Sequence, residues 1–456
     1  MSARGRVANK SRMRDWAVYC GLFLSTLDTG IVTVALKPIA MVFGVSLPIA
    51  GLSMTFYLFA LIAMLIPGGW LGDRFGCERM LAVGFAVFGG ASLVCGGSST
   101  IALLILGRAL QGVGAALIQG NALGYVAKQP PDRRLHMSTM MTAAISIGPI
   151  LGPSLGGWIV EVVGWPWLFL VNIPFCLAGF LIAWRGDDAT VEFSSKSPDF
   201  KELVLFALLI GLAAWLLYAI NTDASIQLIA VSALSMSATA IGFGRYEWRH
   251  RFPLIPVAAL ARRTPAFIAT GAFVFGYAAG VFFAAAPIVL LSDTEKTLSI
   301  VGIITSAAPA GLFIGAFIRR HMSARFSDLR AMQAGSLTMF SAFVLFAAPM
   351  TATEPGFFAA SAALYGIGGG VFQVSNIKSA SKITPDRPSM AGSLLRLFQN
   401  LGIALGATVA LYSLRHGIEL PTSVISRTSV LWGSTAVVLV ALSGLSTFRD
   451  AGHYEA

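Results

Sequence analysis

Apolar residues in this chain gather into long runs separated by short polar stretches. A helix rises ~1.5 Å per residue, so about 20 apolar residues cross the hydrocarbon core of a bilayer. Runs of that length fall at 16–37, 49–71, 80–98, 101–126, 137–160, 165–184, 203–221, 225–244, 265–291, 298–318, 331–349, 356–377, 389–412 and 428–448. The pattern predicts an all-α integral membrane protein with fourteen transmembrane spans.

Charge supports the boundaries. With the N-terminus inside, the inner segments carry 26 of the 32 Lys and Arg; the outer ones carry four, Lys37, Lys296, Arg415 and Arg427. Arg108 and Arg396 are left inside spans. This is the positive-inside asymmetry, with both termini cytoplasmic. A missed span would exchange inside for outside everywhere downstream, so the alternation tests each boundary. It also sets aside a nucleic-acid partner for the +11 charge, because the basic groups are spread over eight inner segments rather than one face.

Composition agrees. Hydrophobic residues make up 56% of 456 and charged ones 12%, with a mean hydropathy of +0.76. A soluble chain carries roughly twice that charged fraction. No cleavable signal is expected: the basic start leads into a span too long for a signal's apolar region, and that span contains Asp28. Cys20, Cys77, Cys95 and Cys176 lack metal-like spacing and paired external positions, which predicts free thiols. His136, His250, His321, His416 and His453 all fall between spans, so neither a metal nor another cofactor is expected.

The runs divide as six, two and six. Residues 1–186 form an N-terminal six-span bundle and 265–456 a C-terminal one. Between them, 187–264 holds an inserted two-span hairpin with cytoplasmic flanks, turning at Asn221-Thr222-Asp223. Two related bundles are a design of secondary transporters.

Charge inside a span is the sharpest chemical signal, because it is costly at mid-bilayer and marks function by default. Asp28 lies about twelve residues past Trp16, ~18 Å along a helix, and is the one carboxylate in a span interior. Burial favours the neutral form of a carboxyl, so Asp28 suits proton loading and release. The structural alternative is an aspartate bonded to Ser25, Thr29 or a neighbouring helix. Arg108 lies about eight residues into span 4 and cannot lose its proton; it either pairs with Asp28 or ties helices together. Arg396, Gln399 and Asn400 make span 13 polar enough for a cavity wall, although Arg396 lies close enough to the inner surface to snorkel. Gln111, Tyr57, Tyr277 and Phe283 are further candidates for cavity lining, against the commoner packing role of membrane aromatics.

Two glycine motifs add mechanics. The inner loop Gly68–Met80 combines Gly69, Gly72 and Gly76 with Asp73 and Arg74; it turns tightly, and Asp73 can meet a cation or a helix N-terminus. Gly148–Gly157 reads GPILGPSLGG. Pro149 and Pro153 each remove a helical hydrogen bond, while Gly148, Gly152 and Gly156 form a bare stripe, extended by Gly157, that another helix can approach. A hinge and seal between two moving halves would use such a segment; the alternative is a packing stripe. No P-loop lysine pattern and no Ser-His-Asp order support an enzyme, and Gly368-Gly369-Gly370 reads as helix packing.

Together these pieces resemble the major facilitator superfamily, specifically its fourteen-span drug:proton antiporter family, over nearly the whole chain. Gly69 through Gly76 fits the superfamily's G-x-L-a-D-R-x-G loop. Arg108, Gln111, Gly112 and Gly114 fit R-x-x-Q-G-x-G, which the family associates with proton coupling. Gly148–Gly157 fits its antiporter motif G-x-x-x-G-P-x-x-G-G. Leu27 through Leu36 is similar to L-D-x-T-V-V-N-V-A-L-P, and Gly164-Trp165-Pro166-Trp167 through Asn172 and Pro174 to W-R-W-I-F-L-I-N-x-P. Phe252-Pro253-Leu254 stands where the family has H-P-L. The chain departs from these patterns at Gly30, Thr33 and Lys37, at Cys77 and Glu78 where basic residues are usual, at Pro166, and at Gln399-Asn400 in place of R-Q.

The resemblance implies a multi-pass protein of the bacterial cytoplasmic membrane that exports small amphipathic or cationic compounds in exchange for protons. It implies Asp28 as proton carrier, Arg108 as its coupling partner, the Gly/Pro stripe as hinge, and Asp73 and Arg74 in an inner gate. The expected partners are a small-molecule substrate, protons and the lipid bilayer, around a monomer. A proton-coupled symporter or permease for a metabolite, sugar or siderophore is the rival within the architecture; a membrane sensor, lacking soluble parts of any size, is the remoter one.

Overall fold

The computed structural model describes residues 3–184, 200–221, 224–250, 253–291, 298–322, 326–346 and 355–415. Regular structure among them is helical throughout. The helices are α1 (Ala3–Phe43), α2 (Leu47–Phe75), α3 (Cys77–Gly96), α4 (Ile101–Ala127), α5 (Pro131–Val162), α6 (Trp167–Leu170), α7 (Asn172–Trp184), α8 (Phe200–Asn221), α9 (Ile226–Arg249), α10 (Val257–Leu260), α11 (Arg263–Leu291), α12 (Leu298–Met322), α13 (Asp328–Phe346), α14 (Pro355–Ser379) and α15 (Pro388–Arg415).

Each apolar run up to 389–412 falls on one of these helices or, for 165–184, on the pair α6 and α7; the last run, 428–448, lies outside the described residues. Ten helices among the described residues are long and apolar enough to cross a membrane, and an eleventh is counted if bent α1 is one span. Several helices outrun their apolar runs, so His136 and His321 lie in helical ends rather than in loops.

Helix boundaries and bends follow local chemistry. Thr100 caps α4 by accepting a hydrogen bond from the Leu103 amide at 3.2 Å. Gly76, at φ +100°, lets the chain leave α2 and start α3 without an intervening loop. In α1 the axis turns by 61° between Met13–Val32 and Ala35–Phe43. Pro38 explains the place of the turn: it has no N–H to offer the Val34 carbonyl, and its ring crowds that turn. Pro174 does the same to the Leu170 carbonyl, where α6 gives way to α7. By contrast α5 continues helically through both Pro149 and Pro153.

Two compact units result. One comprises 1–210, 249–255 and 384–396; the other comprises 211–248, 256–383 and 397–456. The first has a core of Leu27, Ile31, Ala35, Cys95, Leu104, Trp165 and Phe169. The second is rich in phenylalanine, with Phe282 stacked on Tyr365 at 5.2 Å and Phe275 on Phe372 at 5.8 Å. Within it α12 lies backbone to backbone on α14. A methyl at Gly311 or Gly315 would meet the carbonyls of Ala363 or Ile367, and one at Gly366 or Gly370 those of Ala308 or Leu312. Membrane helices have no hydrophobic drive to associate, so they gain from such close approach. Leu106, Leu110, Trp158 and Leu177 are exposed, as apolar side chains facing lipid are.

Candidate functional site: a buried aspartate–arginine pair

The first unit brings Asp28 of α1 and Arg108 of α4 together. Arg108 donates through Nη1 to Asp28 Oδ2, and both side chains are wholly buried. The residues are 80 positions apart, so the pair is made by packing of α1 on α4. Its surroundings are polar and ordered. Arg108 Nη1 also donates to Gln111 Oε1 at 2.8 Å, and Gln111 Nε2 donates to Ser92 Oγ at 2.7 Å. Ser92 Oγ in turn donates to the Phe88 carbonyl at 2.8 Å. Cys95 Sγ lies 3.4 Å from Gln111 Oε1.

Aromatic faces complete the arginine's seat. The guanidinium carbon lies 4.2 Å from the Tyr57 ring centroid and 5.8 Å from that of Phe169. A desolvated cation over an aromatic face gains ~2 kcal/mol. Tyr57 is fixed by donating its hydroxyl to the Ser25 carbonyl at 3.2 Å, and Gln119 Nε2 reaches Ser25 Oγ at 3.4 Å. On the other side, Asn172 Nδ2 donates to Asp28 Oδ1 at 3.3 Å. Each carboxylate oxygen therefore has its own donor. Gln111 and Tyr57, expected as cavity candidates, are the arginine's immediate partners here, buried to 0% and 1% exposure.

The glycine stripe touches this site from behind. A methyl at Gly148 would collide with Thr26 Oγ1 and come within 2.7 Å of the Leu27 amide nitrogen; at Gly152 it would lie 2.9 Å from Gly30 Cα. Gly148 and Gly152 thus seat α5 on the turn of α1 that carries Asp28. Gly156 is buried, whereas Gly157 has open space where a side chain would start. The backbone is helical at Pro149 and Pro153.

The segment expected as an inner loop is helical up to Phe75, because Gly76 alone makes the turn into α3. Gly69, Gly72, Asp73 and Arg74 thus lie on the last turns of α2, and these turns meet the start of α15. Asp73 accepts hydrogen bonds from the Ser389 and Met390 amides at 2.8 and 3.0 Å, which satisfies two of that helix's orphan donors. Gly69, Gly72, Gly120 and Gly124 leave room there for Ser389 and Ser393. Arg74 lies over Trp70 and Phe75, 5.2 and 5.3 Å from their centroids. On the same end of the unit Asp15 accepts two bonds from Arg133 Nη2, both 2.9 Å, and one from the Tyr125 hydroxyl at 3.3 Å.

The remaining candidates lie elsewhere. Arg396 is buried to 6% exposure and does not snorkel. Gln399 and Tyr277 take part in close packing of α15 on α11, where a methyl at Gly276 would strike the Gln399 carbonyl and one at Gly406 the Tyr277 carbonyl. Asn400 is half-buried, and Phe283 is exposed. An open groove on the second unit is lined by Phe313, Ile314, Phe317, Ile318, His321, Met322 and Phe326, none of them a sequence candidate. Asn172 and Ser92 were missed as site residues. Asn172 stood within the tryptophan-rich motif, but an uncharged amide carries no warning of its cost.

Known proteins share this organisation. The sequence profile of the Major Facilitator Superfamily matches residues 18–244 and 268–450. A protein of Klebsiella pneumoniae provisionally named multidrug resistance protein MdtD is 28% identical over 441 residues, 89% of this chain and 88% of that protein. Proteins of the same name from Cronobacter sakazakii and Yersinia pestis are each 34% identical, over 205 and 261 residues. Those two matches span only 43% and 53% of the relatives' own length. Among solved structures, the human organic anion transporter MFSD10 superposes with a TM-score of 0.67 at 14% identity, covering 95% of this chain and 98% of that one. The proton:xylose symporter XylE does so with 0.65 at 12%, covering 96% and 95%. At those identities the likeness concerns the fold. Apolar helices in this number make the chain a multi-pass membrane protein, and its bacterial relatives put it in the cytoplasmic membrane. By the extent of its profile match, the chain belongs to the Major Facilitator Superfamily.

Proposed function

We propose that this chain is a proton-coupled exporter of small amphipathic or cationic compounds, working by alternating access, with fourteen spans and both termini cytoplasmic. The six, two and six division of the spans is part of that reading. The observation that carries it is the wholly buried Asp28–Arg108 pair. Taking two charges out of water costs several kcal/mol per ion, which their attraction and hydrogen bonds must repay. Such a pair is poised rather than inert. A proton arriving on Asp28 cancels the carboxylate charge and leaves the guanidinium buried beside neutral partners, Gln111 and the Tyr57 ring. That state costs more in this packing than the paired one, so protonation favours a rearrangement in which Arg108 finds water or another acceptor.

The neighbours give the rearrangement a route. Gly148 and Gly152 hold α5 on α1 through backbone contact without interlocking side chains, which suits sliding, so the stripe acts as the hinge. Asp73 on the first amides of α15 acts as an inner latch, with Arg74 held beside it. The direction of transport is outward, in keeping with the names of the full-length relatives and with the antiporter motif.

The test uses everted membrane vesicles loaded by an imposed pH gradient, with ethidium first among a panel of lipophilic cations. Wild type is expected to drive accumulation that collapses when an ionophore removes the gradient, and Asp28→Asn to show none. Gradient-driven accumulation that survives Asp28→Asn removes the role given to Asp28. External sugar or acid that drives proton uptake in intact cells would establish the symporter instead.

A further inference from the structure

Among the described residues Asn172 is the one uncharged side chain bonded to the Asp28 carboxylate, and only half of its amide is used. Its Nδ2 donates to Asp28 Oδ1 at 3.3 Å, while its Oδ1 has no hydrogen-bond partner among the described residues although Asn172 is 1% exposed. A buried amide oxygen left without a donor is costly, of order 1–3 kcal/mol. The unsatisfied atom belongs to the amide whose other arm meets Oδ1, the carboxylate oxygen that Arg108 does not occupy.

We propose that Asn172 is a two-way positioning residue for proton loading on Asp28. An amide is the neutral side chain that can donate to a carboxylate through its nitrogen and accept from a carboxylic acid through its oxygen. With Asp28 ionised, Nδ2 donates to Oδ1, as observed. When a proton adds to Asp28 Oδ1, that oxygen turns from acceptor to donor. Rotation of the amide about its last bond then presents Asn172 Oδ1 to the new O–H. The new O–H thereby finds an acceptor, and the amide keeps one idle atom in either state, Oδ1 before the proton arrives and Nδ2 after it. No oxidation state changes: a hydronium on one side gives up an O–H bond as Asp28 Oδ1 gains one, and on release that bond passes to water on the other side.

The other groups facing Asp28 cannot take this part. From α4, Arg108 is a donor in every state. From α2, Tyr57 gives its hydroxyl to Ser25. From α3, Cys95 is directed to Gln111 and the Leu104 carbonyl. From α7, Cys176 is a buried thiol, as is Cys20 on α1 itself, and a thiol is a weak donor and a weak acceptor. At this level α5 offers Gly148 and Gly152, and α6 (Trp-Leu-Phe-Leu) has no titratable side chain. The place of Asn172 is fixed by the interruption of the helix before it: Val171 separates α6 from α7, and Asn172 opens the second helix.

The inference rests on Asp28 being the proton carrier, and the experiment separates the two. The full chain is reconstituted in lipid, and the infrared carbonyl stretch of its protonated carboxylic acids is followed from pH 5 to 9. Wild type is expected to show a titrating band that Asp28→Asn removes. Asn172→Leu should move that band to higher frequency, because the acid has lost its acceptor. Its pH midpoint should move alkaline by about one unit, because the lost bond to the charged form is the stronger one. Asn172→Asp, isosteric and therefore less disruptive to folding, should move the midpoint further, since a second carboxylate there repels the first. The pH profile of vesicle transport is expected to move with the band in both variants. A band present in wild type and absent in Asp28→Asn, yet unmoved in frequency and midpoint by either Asn172 change, overturns the role of Asn172 and leaves Asp28 in place. The absence of any band that depends on Asp28 overturns the proton-carrier reading itself.

Discussion

Each compact unit holds a buried arginine bound to an aspartate, and the two pairs are built differently. In the first unit Arg108 and Asp28 are both at 0% side-chain exposure, in the body of α4 and α1. In the second, Arg319 is at 1% exposure but its partner Asp328 is at 16%, and the pair joins the last turn of α12 to the first turn of α13. Arg319 donates to Asp328 at 2.8 Å and to Ser375 at 2.6 Å, and Lys378 adds a second cation at 3.0 Å. That cluster knits three helix ends where water reaches the carboxylate, so its charges are cheap to keep. The Asp28–Arg108 pair has one cation, one anion and no such access. Loss of a single charge is therefore absorbed in the second unit and not in the first, which is what a proton switch requires.

The comparison breaks first at Arg108. Arg108→Ala leaves the Asp28 carboxylate buried without its cation, at a cost of about 3–5 kcal/mol to the charged state. Vesicle transport should fall to background, with the pH dependence of any remainder abolished. Arg108→Lys should rescue little, because a point charge cannot hold Asp28, Gln111 and the Tyr57 face together. Next in size is the seat of the pair: Gly152→Ala puts a methyl 2.9 Å from Gly30 Cα and should destabilise the protein by about 1–3 kcal/mol. A lowered melting temperature in detergent reads this, with Gly157→Ala, which meets nothing within 4 Å, unchanged. Smaller still is Asp328→Asn, for which a loss of about 1–2 kcal/mol is expected, since Ser375 and the asparagine's own side-chain oxygen still accept from Arg319. Its transport should keep the wild-type pH profile. If Asp328→Asn shifts that profile as far as changes around Asp28 do, the contrast between the two pairs is lost.

Much of this was legible in the sequence because the bilayer enforces it. Apolar length located the long helices between α1 and α15, though not the short α10, and the cost of charge in a span singled out Asp28 and Arg108. Their pairing stood as one of two roles for Arg108, and packing decides between them, since nothing local says which helix faces which across 80 residues. The same holds for Asp73, whose amide partners in α15 lie 316 and 317 residues away. The glycine stripe was readable as a close-contact surface, but its target, the turn of α1 beside Asp28, is a fact of packing. Asn172 stayed hidden for a different reason. Its importance comes from one unsatisfied oxygen on an amide that meets a carboxylate, which is geometry and not composition. The extension of helices past their apolar runs, as at His136 and His321, was also missed, because polar helix ends look like loops to a hydropathy pattern.

The central claim is that Asp28 couples protons to movement of cargo without being needed for the movement itself. Counterflow tests it most directly: vesicles preloaded with an exported cation exchange it for labelled cation outside, with no pH gradient. Asp28→Asn is expected to retain this downhill exchange, within about threefold of wild type given a neutral isostere at a buried site. The same variant should lose all accumulation driven by an imposed gradient. Uphill accumulation by Asp28→Asn at the wild-type level, with counterflow intact, would contradict the account.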